Sequence, residues 1–279
     1  MSDRLVYLNG SILPADEAKV SVFDRGLLYG DGLFETIRIQ GGTCLRLEKH
    51  LARLVAGAGM LGFGDTLDGL DLAGAIGETV EANGLADARV RLTVTRGPIS
   101  GPGRLAPEPA EPTVIITADP LPTHPPRPAR VIISSIRRDE QNPLSSVKSL
   151  NYLPGVLAAI EARRAGADDA ILLNTQGLVA EGTVDNLFLV TGGALVTPSL
   201  DQGPLPGTVR AAVIELAPRL GLEVVERAVE MKELAGTEEL FFTNAIQLVR
   251  PIREIAGAII GSGDYPISRR IRQALADSE

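Results

Sequence analysis

The sequence predicts an α+β fold in two domains, and three features carry the prediction. Paired apolar and β-branched runs flank Asn9-Gly10 and Gly41-Gly42, dipeptides suited to tight hairpins. Segments with apolar residues at helical spacing lie among them, as at Leu51, Leu54, Val55 and Ala58. A stretch with five prolines in eleven residues, Asp119-Pro-Leu-Pro-Thr-His-Pro-Pro-Arg-Pro-Ala129, interrupts both patterns. Proline lacks an N–H donor and fixes φ, so this stretch reads as an extended linker. The expected boundaries are residues 1–118 for an N-terminal α+β domain, 119–129 for the linker and 130–279 for a C-terminal domain.

In the first domain, residues 6–8 and 11–13 form one hairpin, and 34–40 and 43–47 another. In the helix that follows, Arg53 lies opposite the apolar stripe, so its periodicity predicts a solvated position. Residues 90–95 and 113–117 are β-branched runs and read as strands. A second loop from 97 to 112, rich in Gly and Pro, carries Arg104 and is expected to overhang a neighbouring part of the fold. In the second domain the expected strands are 131–136, 170–173, 177–180, 187–190 and 194–196, with a helix over 156–164. Thr208 opens another helix, with apolar residues at Val209, Ala212, Val213 and Leu216, and Pro218 ends or kinks it. Phe241 and Phe242 lead a last strand into a turn at Pro251. A regular βαβ array and an all-β fold are both excluded by this order.

A formal net charge of −8 disfavours general nucleic-acid or anionic-membrane binding, which needs clustered positive charge. The single Cys44 rules out an intrachain disulfide and supplies too few thiolates for a metal cluster. His50 and His124 share no metal-ligand spacing, so no metal is expected and structural roles are favoured for both. The N-terminal residues MSDRLVYLNG lack a basic region followed by an apolar core, and no run reaches the roughly 20 apolar residues that span a bilayer. A cytoplasmic, soluble protein is the expectation.

Three positions are suited to chemistry, and each also has a plain structural reading. Lys148 sits between Val147 and Leu150 in a polar but uncharged neighbourhood. Partial desolvation there would lower its pKa and make a nucleophile or base; a surface lysine at a helix start is the plain alternative. Gly207-Thr208 opens an amphipathic helix, where free N–H groups and the dipole suit a phosphate. Simple capping is its alternative. Glu181, at a strand end before Gly182, is placed to accept a hydrogen bond from a protonated ring nitrogen, unless it is a solvated edge residue.

Taken together, five ordered segments resemble the fold-type-IV pyridoxal-phosphate family, which holds branched-chain and D-amino-acid aminotransferases and aminodeoxychorismate lyase. They are Asp24-Arg-Gly-Leu-Leu-Tyr-Gly-Asp-Gly-Leu-Phe-Glu-Thr-Ile-Arg38, His50-Leu-Ala-Arg-Leu54, Lys148-Ser-Leu-Asn-Tyr-Leu153, Glu181-Gly182 with Asn186-Leu-Phe188, and Leu205-Pro-Gly-Thr-Val-Arg210. The resemblance covers about residues 5–251. It implies a small antiparallel N-terminal α+β domain, a larger strand-rich C-terminal domain with helices, a homodimer, and pyridoxal 5'-phosphate as cofactor. It also implies that Lys148 binds the cofactor covalently and shuttles protons. Glu181 would pair with the pyridine nitrogen and Tyr152 with the ring oxygen, while Arg53 and the N–H groups of Thr208 and Val209 take the phosphate. The pattern often has a hydroxyl where Val209 stands. Tyr29, Phe34, Arg38 and Arg91 fall where the family builds its substrate pocket. Thr243-Asn244-Ala245 and residues 134–144 are similar to the lyases, so the implied activity is 4-amino-4-deoxychorismate lyase, giving 4-aminobenzoate and pyruvate. A class IV aminotransferase for D-amino or branched-chain amino acids is the alternative.

Overall fold

The computed structural model describes residues 4–99, 105–107, 111–122 and 126–277. Arg104 and His124 therefore lie outside the described residues. The chain divides into two compact units, one of residues 1–123 and 148–151, the other of 124–147 and 152–279.

The first unit contains β1 (Leu5–Leu8), β2 (Ser11–Pro14), α1 (Arg25–Tyr29), β3 (Gly32–Gln40), β4 (Thr43–Cys44), α2 (Leu47–Met60), α3 (Leu72–Ala82), β5 (Ala88–Thr95) and β6 (Thr113–Pro120). Its sheet runs β2-β1-β6-β5-β3-β4 and is antiparallel throughout. Both expected turns form, although the strand expected over 43–47 stops at Cys44 and Leu47 already opens α2; Asn9-Gly10 and Gly41-Gly42 all have positive φ, the conformation a two-residue hairpin turn needs. Alternation in β3 puts Leu33, Glu35, Ile37 and Ile39 on one face, buried with Val90, Leu92 and Val94 of β5. Helix α2 lies on β3, while α3 lies on β5 and β6.

The expected stripe on α2 is rotated. The buried residues are His50, Leu54, Gly57 and Ala58, whereas Val55 is 49% exposed. Arg53 turns to the sheet instead of solvent because Glu35 waits there as a fully buried carboxylate. A buried charge is tolerable only when it is paired, and that pairing outweighs hydropathy in setting the helix face.

The second unit contains β7 (Ala129–Arg138), α4 (Leu153–Arg164), β8 (Asp169–Asn174), β9 (Val179–Gly182), β10 (Asn186–Thr191), β11 (Ala194–Pro198), α5 (Thr208–Leu216), β12 (Val224–Arg227), β13 (Glu239–Asn244), β14 (Leu248–Ile255), β15 (Ala258–Ile259) and α6 (Pro266–Asp277). The sheet order is β12-β11-β10-β13-β14-β7-β8-β9, with β15 beside β14. It is mixed: β7 runs parallel to β8 across α4, and β11 runs parallel to β12 across α5. One core cluster gathers Leu187, Leu189, Leu240, Phe242 and Ile252. Another stacks Phe188 on Phe241, ring centroids 5.4 Å apart, beneath Val209 and Val213 of α5 and Ile271 and Leu275 of α6.

Pro251 makes no turn. It lies within β14, opposite Phe241, and the turn falls at residues 245–247. Pairing of β14 with β7 begins only at Ile252, so proline's missing N–H interrupts no ladder on that side.

Candidate active site

Lys148 belongs to the first unit because of an opening in its sheet. Strand β4 pairs only with Ile39 and Gln40 of β3, which leaves the early part of β3 with an open edge. Residues 148–151 fill it: the Phe34 N–H donates to the Lys148 carbonyl (3.0 Å), and the Leu150 N–H to that of Gly32 (2.9 Å). Asn151 Nδ2 donates to the Gly30 carbonyl at 3.1 Å. A Cβ at Gly32 would sit 2.7 Å from the Val94 carbonyl oxygen and 2.9 Å from Leu150, so glycine is required where these chains converge.

The approach leaves Lys148 half-buried, with Nζ 4.3 Å from the centroid of the Phe34 ring. The guanidinium carbon of Arg91 stands 3.9 Å from the same centroid. Phe34 is 5% exposed, yet it serves as a platform for two cations as well as core. Arg38 is half-buried, lies opposite Arg89 in the register and donates to Gln40. Tyr29, at the end of α1, is exposed and lies under Arg25, 4.9 Å from ring centroid to guanidinium. Asp31 fastens the approach to β3, accepting from Arg25 at 2.7 Å and Arg96 at 2.8 Å. Burial raises its carboxyl, but the hydrogen bonds and charges of Arg96 and Arg25 outweigh burial and hold it below its ordinary value.

Arg53 approaches β3 from the opposite face, as the alternation of Phe34 and Glu35 requires. Its Nε donates to Glu35 Oε1 at 2.8 Å and its Nη2 to Oε2 at 2.6 Å. His50 Nδ1 is also 2.6 Å from Glu35 Oε2, giving this histidine the structural partner that a buried imidazole needs. Burial pushes the Glu35 carboxyl up; the hydrogen bonds of His50 and Arg53 prevail and hold it below the usual range.

In the second unit, Glu181 lies in β9 and is 8% exposed. One oxygen accepts from the Leu205 N–H at 2.8 Å, and the other pairs with Arg138 Nε at 2.9 Å. Helix α5 begins at Thr208, as the spacing predicts, with Gly207 as its N-cap and no side chain capping it. Asn186 explains the glycine, since a Cβ at Gly207 would come within 1.9 Å of Asn186 Oδ1. Asn186 Nδ2 in turn donates to the Leu205 carbonyl at 2.7 Å. Thr208 is buried, and the Val209 side chain packs into the apolar cluster under α5, so only the Val209 backbone can meet an anion. Tyr152 is half-buried at the N-cap of α4.

Thr243 is the Cα partner of Asn186, and its buried hydroxyl has no hydrogen-bond partner among the described residues. Asn244 builds the turn after β13: its Oδ1 accepts from the Ile246 and Gln247 N–H groups, and its Nδ2 donates to Asp185. Ala245 is half-buried in that turn. An uncapped helix start, an orphaned hydroxyl nearby in the sheet and a buried carboxylate with a directed partner form a donor and acceptor set that fits a phosphorylated pyridine. No group of three or more His, Cys, Asp or Glu suited to a metal occurs among the described residues, and no described helix is long and apolar enough to cross a membrane.

Residue patterns alone did not single out Glu35, Arg138, Asp169 or Asp185. For Glu35 a signal existed: it is the one carboxylate at an inward position of an otherwise apolar strand. Asp185 is buried and close to Asp169, whose Oδ1 accepts from Thr183 at 2.6 Å. Burial first, and the charge of Asp169 second, push the Asp185 carboxyl well above its usual value, against the opposing effects of Asn244 and Arg250. A carboxyl raised in this way stabilises the fold fully below the ordinary carboxylate range, and that contribution is lost as pH rises toward the folded value. Asp185→Asn is therefore expected to flatten the alkaline side of the stability profile and to melt above wild type there. Melting curves across pH measure this; an unchanged slope would remove Asp185 from the account.

The fold and these two sets of residues define a class IV aminotransferase-family protein, and the chain belongs to that family, whose model matches residues 32–255. The family uses pyridoxal 5'-phosphate. Among its relatives is a Methanocaldococcus jannaschii protein, provisionally named a branched-chain-amino-acid aminotransferase, 41% identical over 98% of this chain and 95% of its own length. The branched-chain amino acid aminotransferase of Escherichia coli superposes with a TM-score of 0.90 at 30% identity, covering 98% of this chain and 94% of that one. A Legionella pneumophila structure provisionally named a 4-amino-4-deoxychorismate lyase gives a TM-score of 0.87 at 28% identity, covering 95% and 97%.

Proposed function

We propose that the chain is a pyridoxal-phosphate-dependent aminotransferase that moves an amino group between a small amino acid and a 2-keto acid. The observation that carries this reading is the pair of cations on Phe34. The Lys148 amine and the Arg91 guanidinium stand on one apolar ring, as suits a substrate that reacts at its amino carbon and is held by its carboxylate. Relatives named as branched-chain aminotransferases support it. When bound, the cofactor supplies an electron sink for the bond broken at that carbon. Lys148 holds it covalently and moves the proton. Glu181 keeps the pyridine nitrogen protonated, and Tyr152 hydrogen-bonds the ring oxygen. Arg53 and the N–H groups of Thr208 and Val209 bind the phosphate. Tyr29 and Phe34 wall the substrate pocket, with Arg38 and Arg91 for its carboxylate. The working unit in this reading is a cytoplasmic homodimer.

A second reading, 4-amino-4-deoxychorismate lyase, rests on Thr243-Asn244-Ala245 and on the similarity to the Legionella structure. The two differ in needing an acceptor. Given an amino acid alone, an aminotransferase stops near one equivalent of 2-keto acid per site and resumes when a second keto acid is added. Given 4-amino-4-deoxychorismate alone, a lyase forms 4-aminobenzoate over many turnovers. The second result, without the first, would overturn the aminotransferase reading.

A further inference from the structure

Arg138 has no part in the roles assigned above, yet its guanidinium joins three segments of the second unit. Nε is 2.9 Å from Glu181 Oε1 and also donates to the Gly203 carbonyl at 2.9 Å, while Nη2 donates to the Ser145 carbonyl at 2.7 Å. Ser145 lies just ahead of Lys148 in the chain, and Gly203 lies just ahead of the loop that opens α5. Gly203 has φ of +91°, and a Cβ there would sit 2.9 Å from Glu140 Cα, so the backbone is brought up to the guanidinium in a form only glycine accepts. With Leu205 N–H on its other oxygen, the Glu181 carboxylate is fixed from both ends.

We propose that Arg138 is a positioning residue for Glu181. It keeps the carboxylate ionised and aimed, and it ties that carboxylate to the chain ahead of Lys148 and to the loop ahead of Thr208. The forked, permanently charged guanidinium suits this task, because one planar group can meet a carboxylate and two carbonyls at once; an ammonium supplies the charge without the fork. The inference rests on the reading that Glu181 faces the pyridine nitrogen.

The test follows the absorbance of the bound cofactor against pH in the holoenzyme, together with kcat and cofactor occupancy. Removing a nearby positive charge favours protonation of what remains, so Arg138→Gln is expected to move the absorbance midpoint up by roughly one pH unit. It should also lower kcat by about 10- to 100-fold, the usual cost of losing an outer partner, at near-normal occupancy. Arg138→Lys should return the midpoint close to wild type while recovering kcat only in part. If Arg138→Gln loses occupancy or stability but keeps the wild-type midpoint in its loaded fraction, the residue is merely structural and the inference is overturned. If the glutamine variant does not fold, wild-type kcat in Arg138→Lys overturns it, and reduced kcat at an unchanged midpoint sustains it. Glu181→Gln separates the two readings. A shifted midpoint there with none in Arg138→Gln defeats only the Arg138 inference, whereas no effect in Glu181→Gln defeats the assignment of Glu181 itself.

Discussion

Lys148→Ala is expected to lose covalent cofactor attachment and to reduce turnover by roughly 10²- to 10⁴-fold from the missing proton transfer alone. Among the described residues the second cation on the Phe34 ring is Arg91, and a guanidinium is too basic a group to carry the proton in the amine's place. Loss of covalent attachment need not mean loss of binding, because the proposed phosphate donors at Thr208 and the proposed ring partner Glu181 are held by other elements. The variant should therefore still bind cofactor, but release it on denaturation after borohydride treatment. Wild-type protein treated in the same way should carry the reduced cofactor on one peptide, the one containing Lys148. Label on Lys19, Lys49 or Lys232 would exclude the assignment. The fold itself should survive, since the contacts that seat residues 148–151 on β3 are mostly made by the backbone.

Glu35→Ala should have the largest effect on stability. The carboxylate is fully buried and accepts from His50 and from two nitrogens of Arg53. Removing one partner from a buried charged network leaves the others uncompensated, and such losses cost about 3–5 kcal/mol. Urea unfolding of the cofactor-free protein measures this without interference from binding. The sign of the pH dependence follows from the lowered Glu35 carboxyl: its contribution is present above the ordinary carboxylate range and is lost as pH falls through the folded value. Glu35→Gln, which cannot ionise, should lack that acid-side loss. Under the phosphate role proposed for Arg53, cofactor retention should also fall in both variants, because each weakens the Glu35 anchor of its guanidinium. A destabilisation below about 1 kcal/mol, typical of an exposed ion pair, would show that the network contributes little.

The extent of the fold that was legible in residue patterns follows the range of the interactions involved. Asn9-Gly10 and Gly41-Gly42 specify their turns because positive φ is decided by the residues themselves. The β-branched runs of β5 and β6 reveal strands for a similar reason, since alternation and β-branching are carried by neighbouring residues. The start of α5 is visible to within one residue, because Gly-Thr followed by apolar spacing is a local signal. The order of the five motifs was enough to indicate the family and the cofactor chemistry that it uses.

Tertiary structure decided what those segments do to one another. Periodicity sent Arg53 to solvent, and only the buried Glu35 opposite it shows why the helix turns the other way. Nothing near Lys148 in the sequence says that it completes the edge of β3; the shortness of β4 creates that vacancy more than a hundred residues earlier. Pro251 reads as a turn until its neighbours are known, because whether a missing N–H matters depends on which strand lies beside it. The same holds for Asp185 beside Asp169 and for Arg138 beside Glu181. Turn geometry and strand or helix propensity are properties of adjacent residues, so the sequence alone determined them. The partner of a buried charge is chosen by packing across the chain, where the cost of leaving that charge unpaired exceeds any local preference.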